Sequence, residues 1–236
     1  HIRKGTLPEN AAALSTIVTS KMVRRICDVN NIHFDETFTG FKFMAEKLAE
    51  YQRDGSYQYL LAFEESYGYL AGTYVRDKDA VVASMLICEM AAYYRKQGKT
   101  LANVIDELYE EYGYYQNTTL NFGFEGAAGL EKMNHIMTGL RYQAPAAIAG
   151  FAVVKTDDYL QSVSRDCKTG EETKITLPKS NVIAYSLEGG HSVIVRPSGT
   201  EPKIKLYITA VGSDKQDAHK LTDKLVKDSE KIMGVS

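Results

Sequence analysis

The stretch Arg196-Pro197-Ser198-Gly199-Thr200-Glu201-Pro202-Lys203 concentrates anion donors in one short turn between two apolar runs. A guanidinium offers a planar fork to an oxyanion, and hydroxyls and the backbone N–H groups beside a glycine complete an arc around it. In the run that follows, Ile204, Leu206 and Ile208 alternate with Lys203, Lys205 and Tyr207. Side chains of a strand point to opposite faces in turn, so Lys205 can stand over the turn as a second cation. Phosphate suits such a site. An ordinary hairpin turn also collects Pro, Gly, Ser and Thr, and on these residues alone the two readings are equal.

A second segment, Phe63-Glu64-Glu65-Ser66-Tyr67-Gly68-Tyr69, ends an apolar run in carboxylates and a hydroxyl. Open α/β sheets put ligand sites at such strand ends. Glu64 accepts and Ser66 donates or accepts, so together they could hold vicinal sugar hydroxyls. A third, Thr37-Phe38-Thr39-Gly40-Phe41-Lys42, opens a helix, whose first N–H groups are free for an anion. A fourth, Arg76-Asp77-Lys78-Asp79, precedes another helix. Read singly, the last three are better explained as a polar loop, an unliganded helix cap and a solvated charge run.

These segments need elements to hold them. Residues 11–18 read as a buried strand and 21–29 as a helix, with Thr19 and Ser20 as cap candidates. Residues 32–37 and 59–63 read as further strands, 40–53 as an amphipathic helix. Asp79 can cap a helix over 80–97 and Thr100 one over 101–112. Strand–helix alternation at this density predicts a mixed sheet covered by helices. Tyr112, Tyr114 and Tyr115, at helical spacing, read as half-buried packing. Pro145, Gly150 and the alanines between them mark a boundary. Beyond it, residues 151–155, 182–187, 192–196 and 203–211 read as strands, with Glu188-Gly189-Gly190 as a turn, and 215–233 as a terminal helix. The fold class is therefore α/β: a mixed-sheet α/β domain over residues 1–148, then a smaller α+β domain over 149–236.

Composition limits the function. The chain has 236 residues, 28 basic and 30 acidic, for a net charge of -2. No broad cationic face for nucleic acid is expected from that balance. The longest apolar runs fall short of the ~20 residues a bilayer requires, so no membrane role is expected. Three distant cysteines make neither a disulfide framework nor a zinc cluster, which points to the cytoplasm. The five histidines do not cluster, and no metal ligands are expected in this chain. No nucleophile elbow, phosphate-binding Walker loop or dinucleotide fingerprint is present. The chain begins without Met in a polar, linker-like segment, as a fragment would.

Taken in order, Thr39-Gly40-Phe41-Lys42, Glu64-Glu65-Ser66-Tyr67-Gly68, Arg76-Asp77-Lys78-Asp79 and Arg196-Pro197-Ser198-Gly199-Thr200 resemble the C-terminal half of the α-D-phosphohexomutases, and most closely the bacterial phosphoglucomutases. The resemblance spans nearly the whole chain. It implies the third and fourth of four domains. It implies a reaction in which a phosphoserine phosphorylates a hexose phosphate, the bisphosphate turns over in the cleft, and its other phosphate returns to the serine. By the same resemblance Glu64 and Ser66 hold sugar hydroxyls, Thr39 and Gly40 line the cleft, and Lys78 lies near the substrate. Arg196, Ser198, Gly199, Thr200 and Lys205 grip the non-reacting phosphate. The family often has Arg at position 205 and commonly Gly at position 63, where this chain has Lys and Phe. Its phosphoserine loop and its Asp-x-Asp-x-Asp metal loop belong to the first two domains and do not occur here. The implied catalytic residues, Mg2+ ligands and glucose 1,6-bisphosphate chemistry thus belong to N-terminal domains of the same polypeptide, and this chain by itself should be inactive. Phosphomannomutase, phosphopentomutase and a non-catalytic phosphosugar-binding protein are the alternatives.

Overall fold

A computed structural model describes residues 2–199 and 201–235. Its packing divides the chain after Gly113 into two units, each with its own sheet.

In the first unit, strands β1 (Ala11–Thr16), β2 (His33–Thr37), β3 (Gln58–Glu64) and β4 (Gly68–Leu70) lie in the order β2-β1-β3-β4. β1 is parallel to both β2 and β3, and β4 is antiparallel to β3. Parallel neighbours need crossovers, which helices α1 (Met22–Val29) and α2 (Phe41–Asp54) supply. Alternation along β1 sorts its side chains between two cores. Ala12 and Leu14 pack with Phe41, Met44, Leu48 and Tyr51 of α2. Ala11 and Ala13 pack with Val23 and Cys27 of α1. The helices thus cover opposite faces, and strand order reverses between β1 and β3, a topological switch point.

Helices α3 (Ala80–Arg95) and α4 (Leu101–Tyr112) complete the unit with the expected caps. The Asp79 carboxylate accepts from the Val82 N–H at 2.9 Å, and Thr100 forms a reciprocal capping box with Asn103. α3 is apolar around much of its circumference and leaves Val81, Met85, Ile87 and Met90 exposed.

The second unit is built on β5 (Tyr114–Gly123), β6 (Ala147–Ile148), β7 (Phe151–Asp158), β8 (Val163–Asp166), β9 (Glu172–Lys174), β10 (Ile183–Leu187), β11 (Ser192–Pro197) and β12 (Lys203–Gly212). The sheet runs β5-β12-β11-β10-β7-β8-β9, with β6 paired to β7. Helices α5 (Gly126–Tyr142) and α6 (Lys215–Met233) share a core with Tyr185, Val193, Val195, Ile204, Leu206 and Ile208. Arg141 of α5 and Asp158 of β7 form a buried ion pair at 2.9 Å, and Arg141 also donates to Asn181.

Four differences from the sequence reading have physical causes. The division falls at Gly113 and not at 148/149. β5 pairs along its whole length with β12, and α5 gives Met133, Ile136, Met137 and Leu140 to the second core. The Pro145 and Gly150 region is thus a turn around β6, inside the second unit. Tyr114 and Tyr115 belong to β5 and not to a helix, because Gly113 ends α4 at φ 109° and extended pairing then takes over. Finally, of the two cap candidates only Ser20 serves α1, its Oγ accepting the Met22 N–H at 3.4 Å, while Thr19 turns to Glu65.

Candidate functional site

Glu64 is the last residue of β3 and pairs with Gly68 of β4. Glu65, Ser66 and Tyr67 make the hairpin loop between them. Tyr67 has φ 60°, the left-handed conformation that a three-residue hairpin loop needs at its third position. Glu64 reaches to the start of α2, where its Oε2 accepts the Gly40 N–H at 3.1 Å. That donor is one of the N–H groups that a helix start leaves unpaired. Gly68 makes the arrangement possible. A β-carbon there would lie 2.4 Å from Cε2 of Phe41 and 2.9 Å from Cγ of Glu64.

Lys78 places its Nζ 5.3 Å from the centre of the Phe41 ring and pairs with Asp77 at 3.1 Å. Gly40, Glu64 and Lys78 are therefore brought together around Phe41. Thr39 lies in the connection just before Gly40, and Ser66 is exposed at the loop tip. Phe63 continues β3 by pairing with Tyr69.

Glu65 turns the opposite way. Its Oε2 accepts from Thr16 Oγ1 at 2.9 Å and from Thr19 Oγ1 at 3.3 Å. Both threonines are buried, at the carboxyl end of β1 beside the switch point. Reasoning from sequence missed this contact. Thr16 read as part of the strand and Thr19 as a helix cap, and no local pattern links them to a carboxylate so far along the chain.

In the second unit the antiparallel register sets Arg196 of β11 directly across from Lys205 of β12. Both lie on the face away from the core, because Val195, Ile204 and Leu206 fill the other face. The turn between them is closed by the Ser198 N–H on the Lys203 carbonyl at 2.7 Å, and the Lys203 N–H donates to the Glu201 carbonyl at 2.8 Å. Ser198 and Gly199 sit in that turn. Thr200 lies outside the described residues. The result is two cations on neighbouring strands beside a turn bearing a hydroxyl, an arrangement suited to an oxyanion. Among the described residues no group of three His, Cys, Asp or Glu side chains could hold a metal ion. No helix among them is long and apolar enough to cross a membrane.

Comparison with known proteins agrees with this anatomy. The family model for phosphoglucomutase/phosphomannomutase, alpha/beta/alpha domain III, matches residues 1–112. The model for the C-terminal domain of the same family matches residues 142–228. The phosphoglucomutase of Staphylococcus saprophyticus is 41% identical over 196 residues, covering 83% of this chain and 35% of that protein. The phosphoglucomutase of Staphylococcus aureus (strain bovine RF122 / ET3-1) is 39% identical over the same shares. The crystal structure of a putative phosphomannomutase from Thermus thermophilus has the same fold, with a TM-score of 0.62 at 17% identity, over 99% of this chain and 38% of that one. The chain spans about a third of the length of the curated relatives it matches, 35% in the two named here. With both family models matched in order, the chain belongs to the phosphoglucomutase/phosphomannomutase family and carries its third and C-terminal domains.

Proposed function

We propose that this chain is the substrate-binding half of a phosphoglucomutase that interconverts glucose 1-phosphate and glucose 6-phosphate. The observation that carries the reading is the cross-strand pairing of Arg196 with Lys205 beside the Ser198–Gly199 turn, in a domain that the family model matches. Arg196, Ser198, Gly199, Thr200 and Lys205 hold the phosphate that is not reacting. Glu64 and Ser66 hold sugar hydroxyls, Thr39 and Gly40 line the site, and Lys78 supplies a cation nearby.

In the proposed reaction a phosphoserine outside this chain gives up its phosphoryl group to a sugar hydroxyl. The serine O–P bond breaks and a sugar O–P bond forms. The bisphosphate, of which glucose 1,6-bisphosphate is the free activator form, then turns round. Its other phosphoester breaks and the serine O–P bond is restored. Hydroxyl contacts on Glu64 and Ser66 suit both orientations, because a carboxylate and a hydroxyl do not distinguish one equatorial hydroxyl from another. A Mg2+ ion would neutralise charge on the transferred phosphoryl group. Its ligands, like the serine, are proposed to lie in preceding domains of the same polypeptide.

Those domains are the proposed partner of this chain. The exposed apolar side chains of α3 support this. So does the course of the first residues, for Lys4 pairs with Glu89 of α3 at 2.9 Å and Arg3 donates to Tyr94 at 3.2 Å. A domain joined at that point is delivered beside the apolar surface at high effective concentration. A cytoplasmic setting belongs to the same proposal, in keeping with three free cysteines.

The test is an assay with glucose 1-phosphate, glucose 1,6-bisphosphate and Mg2+. The full-length protein should turn over, and this chain by itself should bind sugar phosphate weakly and release no product. Robust turnover by this chain would refute the division of labour. Arg196→Ala should weaken phosphate-competable binding roughly 10- to 100-fold, as expected when charge-assisted hydrogen bonds worth about 1.5–3 kcal/mol are lost. Unchanged titration in that variant would make the turn structural. Parallel kinetics on mannose and pentose phosphates would identify the preferred sugar.

A further inference from the structure

We propose that Glu65 is a positioning residue: anchored on the hydroxyls of Thr16 and Thr19, its carboxylate fixes the hairpin loop that presents Glu64 and Ser66. The proposal rests on the reading that this loop holds sugar hydroxyls.

The anchor is a closed cluster of three side chains. Thr16 and Thr19 approach each other at 2.8 Å, and Glu65 Oε2 lies 2.9 Å from one and 3.3 Å from the other. The Val18 N–H also points at Thr16 Oγ1, at 3.3 Å. Two hydroxyl protons serve three oxygen–oxygen contacts. The carboxylate can only accept: both threonines can donate to it, or one donates to it and the other to its neighbour. Each arrangement ties the three groups together. Thr16 and Thr19 are 1% and 7% exposed, so water cannot readily take the place of the carboxylate.

The loop has little else to hold its tip. The Tyr67 ring is 92% exposed and packs on little, and its backbone is left-handed, which a tyrosine adopts at a cost. Further back, the Ser15 hydroxyl donates to the Phe63 carbonyl at 2.8 Å and holds the strand end. Beyond that point two carboxylates act in opposite senses. Glu64 ties the hairpin to the start of α2 through Gly40, and Glu65 ties it to the end of β1 and the connection that follows. Ser66 follows directly. Without the second tie the loop could pivot about the first, and the hydroxyl of Ser66 would move relative to Glu64.

The experiment compares E65M and E65Q in the full-length protein. Methionine keeps the length and removes the acceptor; glutamine keeps an acceptor oxygen for Thr16. E65M should lower kcat/KM for glucose 1-phosphate about 10- to 100-fold, mostly through KM, with the melting temperature within a few degrees of wild type. E65Q should recover most of that loss. Amide hydrogen exchange at residues 64–68 should quicken at least tenfold in E65M and little in E65Q. If E65M does not fold, T16V with T19V removes the same hydroxyls and should reproduce both effects. Wild-type kcat/KM in E65M, or in the double threonine variant, overturns the proposal. Should the wild-type protein turn over no sugar phosphate, the functional reading fails on its own. Exchange then judges the anchor, and unchanged rates at 64–68 overturn it.

Discussion

Gly68 shows how one missing side chain can organise a site. Its φ is ordinary, so freedom of the backbone is not what the position needs. The need is space, since Phe41 and Glu64 occupy the volume a β-carbon would take. Gly68→Ala must push the Phe41 ring off the hairpin or swing Glu64 away from the Gly40 N–H. We expect it to cost about 1–3 kcal/mol, in the range of overpacked cores, and to weaken sugar-phosphate binding as well. Thermal melting and ligand titration of the same variant check the two effects. Full stability with unchanged binding would mean that the hairpin adjusts without strain. Position 205 raises a different issue. Lys205 keeps the charge across from Arg196 but lacks the planar fork, so it grips an oxyanion less directionally than arginine would.

Between elements, charge decides how α1 and the edge strand are held. Glu36 of β2 pairs with Lys21 at 2.5 Å and with Arg24 at 2.7 Å. Burial pushes the Glu36 carboxyl up, but the two cations outweigh it and hold it below the usual carboxylate range. A carboxyl depressed on folding adds stability above its unfolded pKa, and that stability is lost as pH falls through the folded value. Glu36→Gln should therefore cost about 1–2 kcal/mol at neutral pH and nothing in strong acid, read from denaturant midpoints across pH. An equal cost at both pH values would mean that packing and not charge is lost. In the second unit His191 follows β10 and packs on Phe151, with its Nδ1 accepting the Val211 N–H at 3.0 Å. Burial pulls its pKa below 6.5, and the nearby Asp217 raises it only in part. Protonation would also remove the acceptor. The contribution of His191 is thus present above pH 6.5 and lost as pH falls through the lower folded value.

At the scale of the molecule, each unit buries its own apolar side chains. Those of the first lie on both faces of a mostly parallel sheet, and those of the second lie between an antiparallel sheet and two helices. Separate cores of this size unfold as separate cooperative units. Two calorimetric transitions are expected. On acidification the transition of the second unit should fall first, because His191 begins to lose its contribution below pH 6.5, while that of Glu36 in the first unit begins to be lost only below about 4.5. Gly68→Ala should shift one transition and Arg141→Ala the other. A single transition that moves with both substitutions would show one cooperative unit. Removing Arg141 should be severe, about 3–5 kcal/mol, because it leaves Asp158 buried without its cation.

The elements that local physics controls were readable from the residues themselves. Asp79 and Thr100 cap where expected, α6 spans the helix read from its periodicity, and the ordered segments at 39–42, 64–68, 76–79 and 196–200 sufficed to point to the family. Each of those signals is carried by residues a few positions apart, where spacing alone determines which groups can meet. Long-range pairing was a different matter. That residues 114–123 form a strand follows from β12, a partner strand far along the chain, and not from their own composition. That Thr19 serves a carboxylate and not a helix cap follows from β1 and β3 lying side by side. Both depend on which strands become neighbours, and that choice is made by burial of whole faces, a property of the folded chain that no short window of sequence contains.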